Sequence, residues 1–147
     1  MLDPANYGYL LEDILLQELK SVRVFDDVLH EKCLKRLWGW CAAGVDHFII
    51  IGDYAIPIQT KWRNTRRREN IFVDKFLHSL DYTISRSGKK LLFGLWVSKL
   101  EPFTDNMERL AEKNVICISC FDSIEVLVQK ALSVILEKIN ATALKTI

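Results

Sequence analysis

The sequence predicts an α/β fold, a mixed central β-sheet flanked by helices. Three observations carry that expectation. Residues 45–51 and 54–62 are largely apolar, isoleucine-rich runs separated by Gly52 and Asp53, the pattern of a β-hairpin. Beyond residue 90 strand-like and helix-like segments alternate, which implies parallel pairing through right-handed crossovers. Leucines and isoleucines recur at helical spacing near both ends of the chain, so helices should cover the sheet.

Taken in order, Leu10, Leu11, Ile14, Leu15 and Leu19 place the first helix over about 6–20. Residues 23–28 are ambiguous. A second helical piece is expected over 28–38, ending near Gly39. Gly44 then opens the hairpin. Pro57 lies inside its returning strand; without an amide donor, it belongs at an edge or where pairing is interrupted. Ile71, Phe72, Phe76, Leu80 and Ile84 supply the apolar side of a third helix over about 69–85, broken at Ser87 and Gly88. Residues 91–97 are apolar enough for a central strand. A helix over 104–113, with Thr104 as a candidate cap, leads to a strand over 115–119. Asp122 or Ser123 can start the last helix, whose broad face carries Ile124, Leu127, Val128, Ala131, Leu132 and Ile135. The tail beyond about 140 is expected to fray.

A chain of 147 residues, 50% hydrophobic and 27% charged, fits one domain with its core over about 5–138. That balance excludes disorder over most of the length. The first residues lack a basic and then apolar leader. The longest purely apolar runs, such as 48–51, are too short to span a bilayer. A cytoplasmic or nuclear protein without a membrane partner is therefore expected. Four cysteines are too few for a disulfide scaffold. Cys117 and Cys120 have the C-x-x-C spacing of zinc or redox sites, but they lie in an apolar strand-like segment and read as buried or semi-buried thiols. No glycine-rich loop opens a helix, which argues against the common nucleotide-binding enzymes.

The net charge is only +1, so the whole molecule is no polycation. Residues 61–75, however, hold six basic side chains against Glu69 and Asp74, a local charge of +4. Such a patch can contact several phosphates, although a solvated helix start would look similar.

The chemistry concentrates on Asp46, Gln59 and Lys61. Asp46 begins one hairpin strand and Lys61 ends the other. Gln59 and Lys61 are two residues apart and so share a strand face. Crossing back through the turn brings Asp46 level with them, and three polar groups converge at one corner of an otherwise apolar hairpin. A carboxylate and an amide oxygen can hold a hard cation such as Mg²⁺. Such an ion withdraws charge from a scissile phosphate and lowers the pKa of bound water. An amine beside it can orient that water or stabilise the developing charge. An aspartate at a turn and a lysine closing a strand satisfy the same spacing with no chemistry at all.

The set resembles the PD-(D/E)xK nuclease superfamily, of restriction-endonuclease-like fold, and within it the Mrr-like branch, where glutamine often holds the second acidic position. That branch shows a G-x-x-x-E helix, then G-[IV]-D, then a strand ending in Q-x-K. Here Gly8 and Glu12 match the first element, Gly44, Val45 and Asp46 the second, and Gln59 and Lys61 the third. The likeness covers roughly residues 5–120. It implies a DNA endonuclease using Mg²⁺ or Mn²⁺, with Asp46 as central metal ligand, Gln59 binding through its side-chain oxygen, the Thr60 carbonyl as a further ligand and Glu12 approaching from the first helix. Lys61 would serve the attacking water as base or as electrostatic clamp. Gln59 in place of an acid lends less charge to the metal.

Arg63, Arg66, Arg67 and Arg68 follow Lys61 and are candidate phosphate contacts, with Lys35 and its neighbours Lys32 and Arg36 as further ones. Trp38, Trp40 and Trp62 flank the motifs; one could stack on a base, while packing is expected of at least two. His47 should face away from Asp46, in a buried or supporting role. The expected partner is DNA, cut in a structure-selective (resolvase-like) or restriction-like way, with RNA left open. Cleaving both strands favours a homodimer with two centres, and a larger complex fits as well. The competing reading is a non-catalytic nucleic-acid-binding or assembly module that keeps the nuclease fold.

Overall fold

The computed structural model describes residues 4–142, with side chains from residue 6 onward. Helix α1 (Pro4–Lys20) leads to strand β1 (Asp27–His30), helix α2 (Glu31–Trp38) and a short 3-10 turn (Trp40–Ala42). The hairpin β2 (His47–Ile51) and β3 (Tyr54–Lys61) follows. Then come α3 (Glu69–Ser87), the short β4 (Lys90–Leu91), β5 (Gly94–Ser98), α4 (Thr104–Glu112), β6 (Val115–Ser119) and α5 (Ile124–Ala141). The expected fraying beyond about 140 falls mostly outside the described residues.

The sheet runs β1-β2-β3-β5-β6, with β4 also paired to β3. The pairs β1–β2 and β2–β3 are antiparallel, and β3–β4, β3–β5 and β5–β6 are parallel. The mixed sheet expected from the sequence is present. Pro57 pairs with Phe48 on the antiparallel side. On the parallel side it falls in the gap between β4, which pairs with Tyr54 and Ala55, and β5, which pairs from Ile58 onward. The missing amide donor is placed where the ladder is already interrupted.

Strand alternation divides the core into two layers. Ile49, Ile56, Ile58, Leu95 and Val97 pack with Leu11, Leu15 and Leu19 of α1 and with Leu127, Val128, Ala131 and Ile135 of α5. Phe48, Ala55 and Trp96 point the other way, onto Leu34, Val73, Phe76, Leu80 and Leu110 from α2, α3 and α4. Each fully buried aliphatic side chain contributes roughly 1.5–3 kcal/mol of transfer free energy. The two apolar layers, not helix propensity, therefore hold the helices to the sheet.

Three details differ from the expectation. The strand expected over 91–97 divides into β4 and β5, and Thr104 is the first residue of α4 rather than its cap, which is Phe103 without a side-chain hydrogen bond. Residues 27–30, placed partly in the ambiguous stretch and partly in the second helix, form β1, and α2 starts only at Glu31. Val28 and Leu29 lie opposite Ile49 and Phe48. A four-residue strand has too few positions to show alternation, and it forms because β2 offers it an edge. His30 ends β1 and caps α2, its Nδ1 accepting from the Lys32 amide at 3.2 Å.

Gly44 has a definite reason to be glycine. A Cβ there would lie 2.5 Å from the Lys75 carbonyl oxygen and 2.6 Å from Ser79 Oγ. The missing side chain lets α3 approach the hairpin, and the gap is closed by Gly44 N donating to Ser79 Oγ (2.9 Å) and Ser79 Oγ donating to the Cys41 carbonyl (2.7 Å). Gly44→Ala should therefore cost about 1–3 kcal/mol through forced separation of the two elements. Gly8→Ala, where a Cβ meets nothing within 4 Å, should be neutral or stabilising by about 0.5–1 kcal/mol. Urea midpoints of the two variants against wild type check the contrast.

Candidate functional site

The hairpin register brings Asp46 to Gln59. His47 pairs with Ile58, so the preceding Asp46 stands across from Gln59, and the Asp46 amide closes the end of the ladder by donating to the Ile58 carbonyl at 2.8 Å. Asp46 is buried, only 6% exposed. Its Oδ2 accepts two hydrogen bonds from Thr60, from the backbone amide and from Oγ1, both at 2.9 Å. Thr60, expected to offer only its carbonyl, is thus the residue that orients the Asp46 carboxylate.

Gln59 and Lys61 share the α3 face of β3. Lys61 Nζ sits 3.9 Å from the centroid of the Phe72 ring. It donates to the Gln59 side-chain oxygen at 3.2 Å, while the Gln59 amide nitrogen donates to the Gly44 carbonyl. The reverse amide orientation would set oxygen against oxygen and N–H against N–H.

Glu12 arrives from α1, on the opposite side of the sheet. His47, on the α1 face of β2, donates from Nε2 to the Glu12 carbonyl at 3.0 Å, so this buried ring pins the backbone that carries the Glu12 carboxylate. Burial lowers the His47 pKa to about 4, and the neutral ring serves as a strut, as its expected supporting role requires.

A third carboxylate completes the group. Glu12, Glu31 and Asp46 each bring an oxygen within 4.8 Å of the others. Glu31 was missed by sequence reasoning for a physical reason. It is the first residue of α2, and the pairing of His30 with His47 sets it beside Asp46. Without β1 there is no register to place it. The only signal in the sequence is an acidic residue after an apolar stretch, which is common.

The carboxylates are electrostatically uncomfortable. Burial pushes the Asp46 pKa up to about 6, outweighing the two Thr60 hydrogen bonds and the pull of Lys61. Burial, reinforced by Asp46, Glu31 and Asp13, pushes Glu12 up to about 8. Burial lowers the pKa of Lys61; Arg63 and Lys75 add to that effect, while Asp46 and Glu12 oppose it. Three crowded acids, two of them reluctant to ionise, form a donor set that a divalent cation would relieve.

The basic side chains divide between two places. Arg63, Arg66 and Arg67 line a cavity with Lys61, and the Arg63 guanidinium lies 4.8 Å from the Phe72 ring that Lys61 also covers. Arg66 is partly committed, its Nε donating to the Glu101 carbonyl at 2.6 Å. Arg68 is absent from that lining; it is exposed at the start of α3, in the left-handed region with φ 64°. Lys35 sits on the acidic side, paired with Glu31 at 3.0 Å, and lines a recess with Lys32, Glu12 and Asp46. Arg36 is exposed away from it. Tyr9, unanticipated, and Lys75, expected only as part of the basic stretch, line the recess that holds Glu12, Glu31, Asp46, Gln59 and Lys61.

Trp38 packs edge-on against Phe48, and Trp62 packs against the α1–α5 core layer. Trp40 is 81% exposed, with Lys35 Nζ 4.9 Å from its ring centroid. Cys117 is half-buried and Cys120 buried. Burial, together with Glu69 and Glu101, pushes the Cys117 thiol up to about 11, so it stays protonated and is a poor metal ligand near neutral pH.

A sheet of this topology, with an antiparallel hairpin leading into parallel strands and helices on both faces, is the restriction-endonuclease-like fold. The chain is similar to the small subunit (R.BspD6I2) of the heterodimeric restriction endonuclease R.BspD6I, with a TM-score of 0.60 and 14% identity over 95% of this chain and 81% of that one. A likeness at that identity speaks for the fold. No protein-family model matches the chain, and no curated protein matches it. No described helix is long and apolar enough to cross a membrane.

Asp46 gives a pH signature with a definite sign. Its folded pKa of about 6 lies above the ordinary 3.8. Well below pH 3.8 both folded and unfolded states are protonated and burial costs nothing extra. As the pH rises from about 4 through about 6 the unfolded state ionises while the folded one resists, and stability is lost, by about 3 kcal/mol in all. In EDTA, Asp46→Asn should match wild type near pH 3 and become more stable than it as the pH rises from about 4 to about 6, with the gap levelling off above that. Urea denaturation across that range measures the gap, and a gap independent of pH contradicts the assignment.

Proposed function

We propose that this chain is a divalent-metal-dependent endonuclease that hydrolyses DNA phosphodiesters, a PD-(D/E)xK enzyme of the Mrr-like kind working as one nuclease-like domain over residues 1–147. The observation that carries the reading is the meeting of Asp46, Gln59 and Lys61 with two further carboxylates at one corner of the sheet. Asp46, Glu12 and Glu31 would hold Mg²⁺ or Mn²⁺, with the Gln59 side-chain oxygen and the Thr60 carbonyl as neutral donors. When bound, the cation supplies charge neutralisation at the phosphate and a more acidic water.

The chain's own residues do the rest. Thr60 holds Asp46 in place through two hydrogen bonds. Gln59 and the Phe72 ring hold the Lys61 ammonium at the mouth of the acidic recess. An amine with a lowered pKa passes a proton more readily than a surface lysine, which suits either orienting the attacking water or assisting its deprotonation. Arg63, Arg66 and Arg67 extend positive charge away from Lys61 for flanking phosphates, with Arg68 and Lys35 as outlying contacts. The similar protein is one subunit of a heterodimer, which supports a second subunit here, either a homodimer or part of a larger complex. The neutral amide of Gln59 favours a second reading, a nucleic-acid-binding or assembly module without cleavage.

Linear, nicked, single-stranded and four-way DNA incubated with Mg²⁺, Mn²⁺ or EDTA separates these readings. Wild type should cleave at least one substrate with metal. Asp46→Ala and Lys61→Ala should each lose on the order of 10²–10³ in rate. Binding without cleavage under every condition would establish the module instead. Glu31→Gln should weaken Mn²⁺ binding on the order of 10–100-fold, read by calorimetry; unchanged affinity removes Glu31 from the ligand set.

A further inference from the structure

The carboxyl ends of β3, β5 and β6 lie side by side, because these strands are parallel neighbours. Just beyond them the chain places Trp62 and Asn64 after β3, Lys99 after β5 and Phe121 after β6. The backbone amide of Lys99 donates to the Lys61 carbonyl at 2.9 Å, which ties this rim to the candidate site. Lys99 Nζ donates to Asn64 Oδ1 at 2.6 Å and lies 5.1 Å from the ring centroids of both Trp62 and Phe121. Trp62 is packed on the core, whereas Phe121 is 66% exposed and belongs to neither core layer.

Phe121 is hard to explain by folding. An open ring contributes little hydrophobic stabilisation, and this one is set against an ammonium rather than in an apolar pocket. A flat ring with a cation held beside it and most of its surface open suits a nucleobase stacking on the ring while the cation meets the adjoining phosphate. Duplex bases already have both faces stacked, so such a ring selects unpaired or terminal ones. Strands are spaced about 4.8 Å apart, so the ends of β3, β5 and β6 form one continuous rim, with Lys61 on its α3 side and Trp62 on its α1–α5 side. Two acids, Glu101 and Asp122, share the rim with Lys61, Arg63, Arg66 and Lys99, leaving it net positive. That charge favours nucleic acid over a second copy of the same positive rim.

We propose that Phe121, with Lys99, is a stacking platform for an unpaired base beside the candidate site, so that the substrate class is DNA carrying a single-stranded extension. The proposal rests on the nuclease reading for the identity of the strand. Its test uses fluorescence anisotropy in EDTA, with a blunt duplex and the same duplex bearing a short single-stranded tail. Wild type should bind the tailed duplex more tightly, and Phe121→Ala should reduce that preference about tenfold, the usual effect of losing one stacked base. Phe121→Trp should restore it, and 2-aminopurine in the tail should be quenched by wild type and not by Phe121→Ala. A wild type with no tail preference, or a Phe121→Ala variant that retains it, overturns the platform. So does a Phe121→Ala variant whose only change, by sedimentation, is weaker self-association, because a second copy then covers the ring. Cleavage with Mg²⁺ is scored separately. Cleavage without tail preference removes the platform alone. Tail preference abolished by Phe121→Ala, with no cleavage of any substrate, removes the nuclease reading and leaves the platform as a binding site. Failure to bind DNA at all removes both.

Discussion

The buried Asp46 carboxylate imposes the constraint around which this corner of the molecule is arranged. It sits at the end of an apolar hairpin, held by two donors from Thr60, and among the described residues no cation forms an ion pair with it. Ionising it there costs about 3 kcal/mol more than in water, a sizeable share of the stability of a domain this size. The surrounding structure keeps the group in place regardless. The β2–β3 register sets Asp46 against Gln59, and a slip of one residue would reverse the faces of Asp46 and His47. Gly44 lets α3 come close enough for Ser79 to bind the turn that precedes Asp46.

From that carboxylate the charge is laid out in order. Glu12 from one face of the sheet and Glu31 from the other crowd Asp46 on one side. Lys61 stands next, over Phe72, followed by Arg63, Arg66 and Arg67. A negative recess that favours a cation therefore adjoins a positive one that favours an anion, with a single lysine between them. A phosphate neutralised by a divalent ion has that same distribution of charge, and this complementarity supports the proposed hydrolysis more strongly than any one residue does.

Carboxylates elsewhere show how much context decides. Glu69 is nearly as buried as Asp46, yet its oxygen accepts from the Phe103 amide and from Asn106 Nδ2, both at 2.8 Å, and so ties the start of α3 to the start of α4. It lies beside the basic cavity and still serves as a fastening. Asp74 and Asp81 are exposed partners of Arg109 and Lys113. Residue type alone separates none of these from Glu12 or Glu31.

Periodicity and local chemistry were enough to determine much of this protein from sequence. The hairpin about Gly52 and Asp53, the helices α1, α3, α4 and α5, the parallel strands β5 and β6 and the interrupted pairing at Pro57 all follow from alternation, helical spacing and the absence of an amide donor. The convergence of Asp46, Gln59 and Lys61 was also legible, because a tight turn links the two strands and register propagates through it. The tertiary structure alone decided what depends on contacts distant in sequence. Strand β1 is too short to announce itself and exists by pairing with β2; Glu31 reaches Asp46 only through that pairing. The Lys99–Phe121 rim is assembled from the ends of parallel strands separated by whole helices. Local sequence carries spacing along the chain, whereas long-range register and burial, which set these positions and the pKa values at the site, come into being only when the sheet closes.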